Sequence, residues 1–273
     1  MINYAEKYSS QIDERFRQSS CTDIAVNHDY DFDGVNKVNI YSTDTAPLND
    51  YDMTKSSNRY GEPVELGNEV QSLILTQDKS FTFTIDRRNY DDTVMANSAG
   101  LALNRQLGEV IIPMVDKYRL SIIAGNADTV SEVTIAANNA YMTFLEATAA
   151  LTDKMVPVNE RVVFVVPEYY KLIKLDKAFV SVGDKAHELA QNGVVGSIDG
   201  IMVVLVPTFY LPESSNFLIT HPVATTSPIK LAEYKQHENA PGINGWLVEG
   251  RIYYDAFVLK NKKGAIYLSK KPE

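Results

Sequence analysis

The stretch Glu109-Val110-Ile111-Ile112-Pro113-Met114-Val115-Asp116-Lys117-Tyr118-Arg119 lies inside a long helical pattern. Apolar residues recur there at three- and four-residue steps, which is typical of an amphipathic helix. The stripe consists of Leu103, Leu107, Val110, Ile111, Met114, Tyr118 and Ile122. A cap at Asp91-Asp92-Thr93 and a stop at Gly125-Asn126 predict a helix from Thr93 to Ala124, about 48 Å long at about 1.5 Å per residue. Pro113 should kink this helix, because proline lacks the backbone N–H that a helix needs.

The residues before this helix include too few apolar side chains to form a hydrophobic core of their own. Tyr4, Tyr8, Ile12 and Phe16 recur at four-residue steps, which predicts one stripe of a short helix that needs a partner. Strand-like alternation follows at residues 38–40 and 73–85, and between these stretches Tyr41 to Gly67 is polar and rich in turn formers. Two strands that carry such an insert predict a long arm reaching away from the body.

The residues after the long helix read as a compact α/β unit and a final β segment. Two runs that are apolar throughout, each closed by a proline, predict strands buried on both faces. The predicted elements are a helix from Ala136 to Lys154, a strand over Arg161–Val166, a short helix over Glu168–Leu175, a helical piece over Asp184–Gln191, a strand over Gly200–Val206, and C-terminal strands over Trp246–Val248, Gly250–Leu259 and Gly264–Leu268.

The amino-acid composition and net charge argue against several classes of function. The chain has 273 residues, of which 45% are hydrophobic, and no apolar run is long enough to span a membrane. One cysteine, Cys21, excludes an intramolecular disulfide. The formal net charge is −9, which argues against a protein that grips nucleic acid. The densest basic group is the tail Lys260, Lys262, Lys263, Lys270 and Lys271, and a solvated chain end explains it best.

One stretch of the sequence partly matches a known metal-binding motif. Asp29, Asp31, Asp33 and Gly34 resemble the opening of an EF-hand calcium loop, but the twelfth position, where a bidentate Glu is needed, is Ile40. The four histidines have no zinc-site spacing, and phosphate-loop, dinucleotide and GxSxG motifs are absent from the sequence. We therefore expect a protein that is not an enzyme, with no catalytic residue, no cofactor and no metal.

The order of these segments resembles the major capsid proteins of tailed bacteriophages with the Hong Kong 97-type shell fold. Four parts of the chain carry the resemblance: Val64–Gly67 leading into Thr76–Asp86, Glu109–Arg119, Gly200–Val204, and Arg251–Leu259 with Gly264–Leu268. The resemblance implies an α+β fold. It also implies an N-arm at 1–34, an extended two-stranded loop at 35–91, a peripheral domain at 92–130 and 222–273 that contains the spine helix, and an axial domain at 131–221.

The same resemblance implies self-assembly through pentamers and hexamers into the icosahedral head of a virion, in the host bacterial cytoplasm, around double-stranded DNA that is enclosed without specific binding. Portal and decoration proteins are the implied partners, and because the arm begins at once we expect a separate scaffolding protein. Covalent Lys–Asn links occur in some relatives, and Lys55 lies in the appropriate loop without identified partners. The residues expected at subunit interfaces are Tyr4, Tyr8, Ile12, Phe16, Lys55, Arg59, Glu62, Glu65, Arg87 and Arg88.

Three alternatives stay open at this point. An encapsulin-like nanocompartment would share the fold but package enzymes. A phage tail or tube protein would form rings or filaments. A hydrolase with a scattered triad would show turnover and no particles.

Overall fold

A computed structural model describes residues 20–30, 37–43, 45–87, 99–176, 194–238 and 240–272. Its helices are α1 (Ala99–Gln106), α2 (Ile112–Gly125), α3 (Ala140–Asp153) and α4 (Pro167–Leu175), with a π-helical turn at Leu107–Ile111 and short 3-10 helices at Asp23–Ala25, Thr208–Tyr210, Pro222–Ala224 and Lys260–Ala265. Its strands are β1 (Lys37–Thr43), β2 (Asn68–Ile74), β3 (Gln77–Asp86), β4 (Thr129–Glu132), β5 (Val162–Val165), β6 (Val194–Ile198), β7 (Ile201–Leu205), β8 (Ser215–Thr220), β9 (Thr225–Thr226), β10 (Ile229–Glu238), β11 (Gly245–Tyr254), β12 (Phe257–Val258) and β13 (Tyr267–Lys270).

The long helix runs through α1, the π-helical turn and α2. The π-helical turn ends two residues before Pro113, and the N–H of Ile112 donates to the carbonyl of Leu107. A wider turn at this point is the local adjustment that helices show where a proline interrupts the hydrogen-bond ladder. The helix ends at Gly125, one residue after the predicted end, and the N–H of Asn126 donates to the carbonyls of Ile122 and Ile123. Its predicted start at Thr93 lies outside the described residues.

A three-stranded antiparallel sheet, in the order β10-β11-β3, packs against this helix. Their shared core consists of Ile85, Leu103, Leu107, Ile111, Ile112, Val115, Tyr234, Val248, Ile252 and Tyr254. Gly250 lies between Phe81 and Tyr234 in the sheet, and a Cβ added at Gly250 would lie 2.3 Å from the Phe81 ring. Only glycine therefore lets both aromatic rings pack over β11. The prediction of separate strands at Trp246–Val248 and Gly250–Leu259 is wrong, because β11 runs without a break from Gly245 to Tyr254.

A six-stranded sheet in the order β4-β13-β8-β5-β7-β6 forms the second core. The predicted strands over Arg161–Val166 and Gly200–Val206 are confirmed as β5 and β7, which pair in parallel. Phe144 of α3 and Tyr169 of α4 belong to the buried cluster of this core. The strand predicted over Gly264–Leu268 is displaced, because Lys260–Ala265 is a 3-10 helix and β13 begins at Tyr267. The helical piece predicted at Asp184–Gln191 lies outside the described residues.

The predicted arm is a hairpin. Strands β1 and β2 pair antiparallel from Lys37 opposite Ile74 to Thr43 opposite Asn68. The next strand, β3, pairs with β11 and not with this hairpin, so the two-stranded part of the arm ends at Ile74. We call the segment from Lys37 to Ile74 the hairpin arm.

Candidate assembly surfaces

The hairpin arm exposes large apolar side chains. Leu48 is fully exposed, Tyr60 is 83% exposed and Met53 is 76% exposed. The complete set on the arm is Tyr41, Leu48, Tyr51, Met53, Tyr60, Val64, Leu66, Val70 and Ile74. Single exposed apolar residues are ordinary, but so many on one projection that has no core of its own are typical of a surface that contacts another molecule.

Local hydrogen bonds shape the tip of the hairpin arm. The carboxylate of Asp52 accepts from the N–H and the hydroxyl of Thr54, at 2.9 and 2.6 Å. The N–H of Asp52 donates to the carbonyl of Arg59, and the ring of Tyr51 meets the ring of Tyr60 edge-on at 4.9 Å. These bonds bring the two ends of the tip together and leave its apolar side chains facing outward.

Four of the predicted interface residues lie on this tip or just after it. Arg59 donates through Nε to the carbonyl of Lys55 at 2.7 Å, and the ammonium of Lys55 lies 3.9 Å from Asp52. Glu62 lines the same shallow depression as Lys55, and Glu65 is exposed on the return toward β2. The structure therefore groups Lys55, Arg59 and Glu62 on one exposed feature, where charges can fix the orientation of a partner.

The other predicted interface residues divide into two sets. Arg87 binds within its own sheet: its guanidinium lies 3.4 Å from Glu238 and 5.9 Å from the centre of the Trp246 ring. Tyr4, Tyr8, Ile12, Phe16 and Arg88 lie outside the described residues. The assignment of all ten residues to interfaces stays a prediction.

The base of the hairpin arm is fixed to the body by Asp255. This carboxylate is buried and accepts at 2.8 Å from both the N–H and the hydroxyl of Thr76. It also accepts from the hydroxyl of Tyr118 at 2.7 Å and from the N–H of Ala256 at 2.8 Å. Burial and the neighbouring Asp255 raise the pKa of Tyr118 to about 12, so its hydroxyl stays a donor at neutral pH.

Gln71 of β2 makes a second attachment. Its side-chain amide donates to the carbonyl of Val258 at 3.0 Å and accepts from the N–H of Lys260 at 2.9 Å. The side chain therefore makes the two backbone hydrogen bonds that a neighbouring strand would make. Leu73 and Leu75 are buried in a small apolar cluster beside these bonds. The arm is thus held firmly at its base and projects from it.

The segment Ser20–Asp23, which we call the N-terminal segment, is held by two buried charges of α2. Asp116 accepts hydrogen bonds from the Ser20 hydroxyl at 2.5 Å, the Thr22 hydroxyl at 2.6 Å, and the N–H and thiol of Cys21 at 3.1 and 3.2 Å. Arg119 is completely buried and pairs with Asp23 at 3.0 Å. Burial and the adjacent Asp116 carboxylate raise the pKa of the Cys21 thiol, so this cysteine is poorly reactive.

The calcium-like stretch does not continue as an EF-hand. Ile40, at the twelfth position, lies in β1, where an EF-hand would begin its second helix. Asp31, Asp33 and Gly34 lie outside the described residues. Across the described ranges, no group of three or more His, Cys, Asp or Glu side chains is placed to hold a metal ion, and none of the helices described there is long and apolar enough to cross a membrane.

Two lysines of the C-terminal region form ion pairs with carboxylates elsewhere in the chain. Lys260 lies 2.8 Å from Glu69 of β2, and Lys271 lies 2.6 Å from Glu168 of α4. These exposed pairs contribute little stability, because water screens the two charges. They do neutralise part of the basic tail, which makes this tail a poor candidate for gripping a nucleic acid.

Comparison with known proteins gives matches at the level of structure. No protein-family model matches the chain, and no curated protein matches its sequence. A structure from Mycobacterium phage Che8 superposes with a TM-score of 0.69 at 19% identity, over 92% of this chain and 91% of that one. The mature capsid of bacteriophage PhiM1 superposes with a TM-score of 0.64 at 11% identity, over 88% and 83% of the two chains. The chain has a phage capsid fold.

The capsid fold also extends to a particle outside the phage structures. The virus-like particle from Pyrococcus furiosus superposes with a TM-score of 0.57 at 11% identity, over 98% of this chain and 100% of that one. The α+β fold implied by the sequence is therefore confirmed over most of the chain. At these identities the superpositions establish the capsid fold.

Proposed function

We propose that this chain is the major capsid protein of a tailed bacteriophage, which assembles with copies of itself into an icosahedral head. The observation that carries the proposal is the hairpin arm, which projects from a phage capsid fold and exposes nine large apolar side chains. Their burial against a neighbour would stabilise each contact, since removing apolar surface from water yields about 25 cal/mol per Å² before the costs of association.

The proposed role requires no chemistry beyond binding. The buried charged groups Asp116, Arg119, Arg161 and Asp255 are occupied by structural hydrogen bonds, and Cys21 has a raised pKa. We therefore propose a structural protein that is not an enzyme. Its proposed partners are itself in pentamers and hexamers, a separate scaffolding protein, portal and decoration proteins, and enclosed double-stranded DNA without specific contacts. The proposed location is the virion.

We also propose the division into an N-arm at 1–34, an extended loop at 35–91, a peripheral domain at 92–130 and 222–273, and an axial domain at 131–221. Two separate apolar cores support a peripheral and an axial part. Strand β13 lies in the six-stranded sheet beside β8 and β4, so the last residues of the chain pack with the axial part. Strand β3, inside the range proposed for the loop, packs with the peripheral sheet.

The second candidate is a nanocompartment shell, which the similarity to the virus-like particle from Pyrococcus furiosus supports. Nuclease-treated particles distinguish the two candidates. Protected DNA of uniform length in particles from infected cells supports a phage head, whereas particles that hold a co-purifying enzyme and no protected DNA support a nanocompartment.

Assembly through the hairpin arm is tested by Leu48→Gln combined with Met53→Gln. Both side chains are exposed, so the changes should leave the subunit fold intact while they remove apolar contact area. The matched control is Met155→Gln, because Met155 is 90% exposed on a turn outside the arm. Sedimentation velocity should show particles for the control and a shift to free subunits or capsomers for the double variant. Equal particle yield for both would contradict a role of the arm in assembly.

A further inference from the structure

Two polar clusters, each centred on a buried carboxylate, meet the same turn of α2, and each holds a different segment of the chain. In the first cluster Asp116 and Arg119 hold the N-terminal segment through Ser20, Thr22 and Asp23, and Ser20 and Thr22 are completely buried. In the second cluster Asp255 holds Thr76, at the base of the hairpin arm, together with Tyr118 of α2.

The two clusters are joined by Ser227, which is completely buried in the short connection between β9 and β10. Nε of Arg119 donates to the hydroxyl oxygen of Ser227 at 2.8 Å. The same hydroxyl donates to the carbonyl of Asp255 at 2.9 Å. A path of hydrogen bonds therefore runs from Thr22 through Arg119 and Ser227 to the backbone carbonyl of Asp255, and the side chain of the same Asp255 holds Thr76.

The guanidinium of Arg119 occupies the middle of this path. Its Nη1 contacts Ser20, Thr22 and Asp23 at 3.3, 3.1 and 3.0 Å. Its Nη2 is buried without a hydrogen-bond partner in the described part of the chain. A buried charge that already lacks one partner is sensitive to the loss of another, because every lost bond leaves a donor in a medium of low polarity. The guanidinium should then shift its position, and its bond to Ser227 would change with it.

We propose that this network is a coupling device, by which release of the N-terminal segment loosens the base of the hairpin arm, and the reverse. The inference goes beyond the capsid role and does not depend on it, because the network lies inside one subunit. Coupling between two sites is reciprocal by thermodynamic necessity, and typical coupling changes an equilibrium about 5- to 150-fold. The physical route includes α2, because its Asp116 and Arg119 bind the N-terminal segment while its Tyr118 binds Asp255.

The first test perturbs the N-terminal end and measures the arm. Thr22→Val keeps the shape of the side chain and removes its hydroxyl, which donates to Asp116 and accepts from Arg119. Hydrogen exchange, followed by mass spectrometry of peptides that cover Leu73–Asp78, should become at least about fivefold faster. The conservative variant Thr22→Ser retains the hydroxyl and should restore the native exchange rate.

The second test perturbs the arm and measures the N-terminal segment. Thr76→Val removes the hydroxyl bond to Asp255, and the thiol of Cys21 reports opening of the distant cluster through its rate of modification by a thiol reagent. The rate should rise at least about fivefold, as reciprocity demands. Thr152→Val is the matched control, because it removes a hydroxyl that Arg161 binds in the other core.

The outcomes separate coupling from general destabilisation. Acceleration of both distant readouts by the network variants, with less than about a twofold change for Thr152→Val, supports the proposal. Acceleration confined to the cluster that carries the substitution would overturn it. Equal acceleration by Thr152→Val would overturn it as well, because loss of global stability would then explain the result.

Discussion

Substitution of Asp255 by asparagine should weaken the protein far more than the same substitution on its surface. Asp255 is 3% exposed, and its two carboxylate oxygens accept four hydrogen bonds, from the N–H and hydroxyl of Thr76, the hydroxyl of Tyr118 and the N–H of Ala256. An asparagine offers one acceptor oxygen, so its NH2 group must face two of these donors.

The magnitude follows from the donors that lose their acceptor. If the asparagine oxygen keeps Thr76, the hydroxyl of Tyr118 can turn to accept from the new NH2 group, but the N–H of Ala256 cannot. One buried donor is then unsatisfied and the remaining bonds lose their ionic character. Losses of this kind sum to about 2–4 kcal/mol. That is a large part of the roughly 5–15 kcal/mol that stabilises a typical domain.

The assay is equilibrium unfolding in urea, followed by the fluorescence of Trp246, the only tryptophan of the chain. Trp246 packs against the core between the three-stranded sheet and the long helix, so it reports the region that Asp255 supports. Protein concentration must be equal for all variants, because self-association adds to apparent stability.

The matched control is Asp78→Asn. Asp78 forms an exposed ion pair with Arg251 at 2.6 Å, and exposed pairs of this kind contribute little to stability because water screens the two charges. We expect a clearly lower unfolding midpoint for Asp255→Asn and a small shift for Asp78→Asn. Equal shifts for the two variants would refute the view that buried hydrogen bonds of Asp255 hold the arm to the body.

Three further predictions concern other parts of the molecule. Arg161→Lys should lower the unfolding free energy by about 2–4 kcal/mol, because the buried guanidinium donates to the carbonyls of Thr148, Val156 and Pro157 and one ammonium cannot reach all three. Thermal unfolding measures the loss of stability, and an unchanged Tm would contradict the prediction. Burial lowers the pKa of His221 below 6.5, so the stability that this group contributes should be lost as the pH falls from about 6.5 through the folded-state pKa. His221→Asn, whose side-chain oxygen can replace Nδ1 as the acceptor for the N–H of Val223, should flatten this part of the pH profile, and an unaltered profile would show that other groups cause it. Trypsin should cut after Lys55 or Arg59 in free subunits, since exposed loop tips are preferred cleavage sites. In assembled particles, where a neighbouring subunit would cover the tip, the cleavage should be at least about tenfold slower. Equal cleavage rates would show that the tip lies outside the contacts between subunits.

The sequence predicted those elements whose pattern is set by the core alone. The long helix was predicted from its repeating apolar residues, and the buried strands β5 and β7 from runs that are apolar throughout. The predicted stripe was only partly right, because Val110 is 49% exposed while Val115, which was left out of it, is buried. Strand β8 was missed, although all of its residues are buried at the centre of the six-stranded sheet. Its polar Asn216 donates 3.4 Å bonds to the carbonyl of Val133 and the hydroxyl of Ser269, and only the fold brings these partners together.

The residues that hold the N-terminal segment could not be predicted from local periodicity either. Asp116 and Arg119, at a spacing of three, look like surface charges on an amphipathic helix, yet both are buried. Their partners in the N-terminal segment lie almost a hundred residues earlier, so local periodicity gives no sign of the pairing. The exposed apolar set of the hairpin arm was also missed, because single apolar residues scattered in a polar insert give no periodic signal. The arm itself was predictable, since its insert is too polar to form a core.

Assembly of this chain into closed shells, the function proposed here, can be tested by electron microscopy of the expressed protein. The protein should be imaged alone and together with the proteins encoded beside it, one of which we expect to be the scaffold. Class averages should show polyhedral particles with pentameric and hexameric units, or capsomers that close into such particles when the scaffold is added. Open tubes, or a stable monomer under all of these conditions, would contradict a capsid role for this chain.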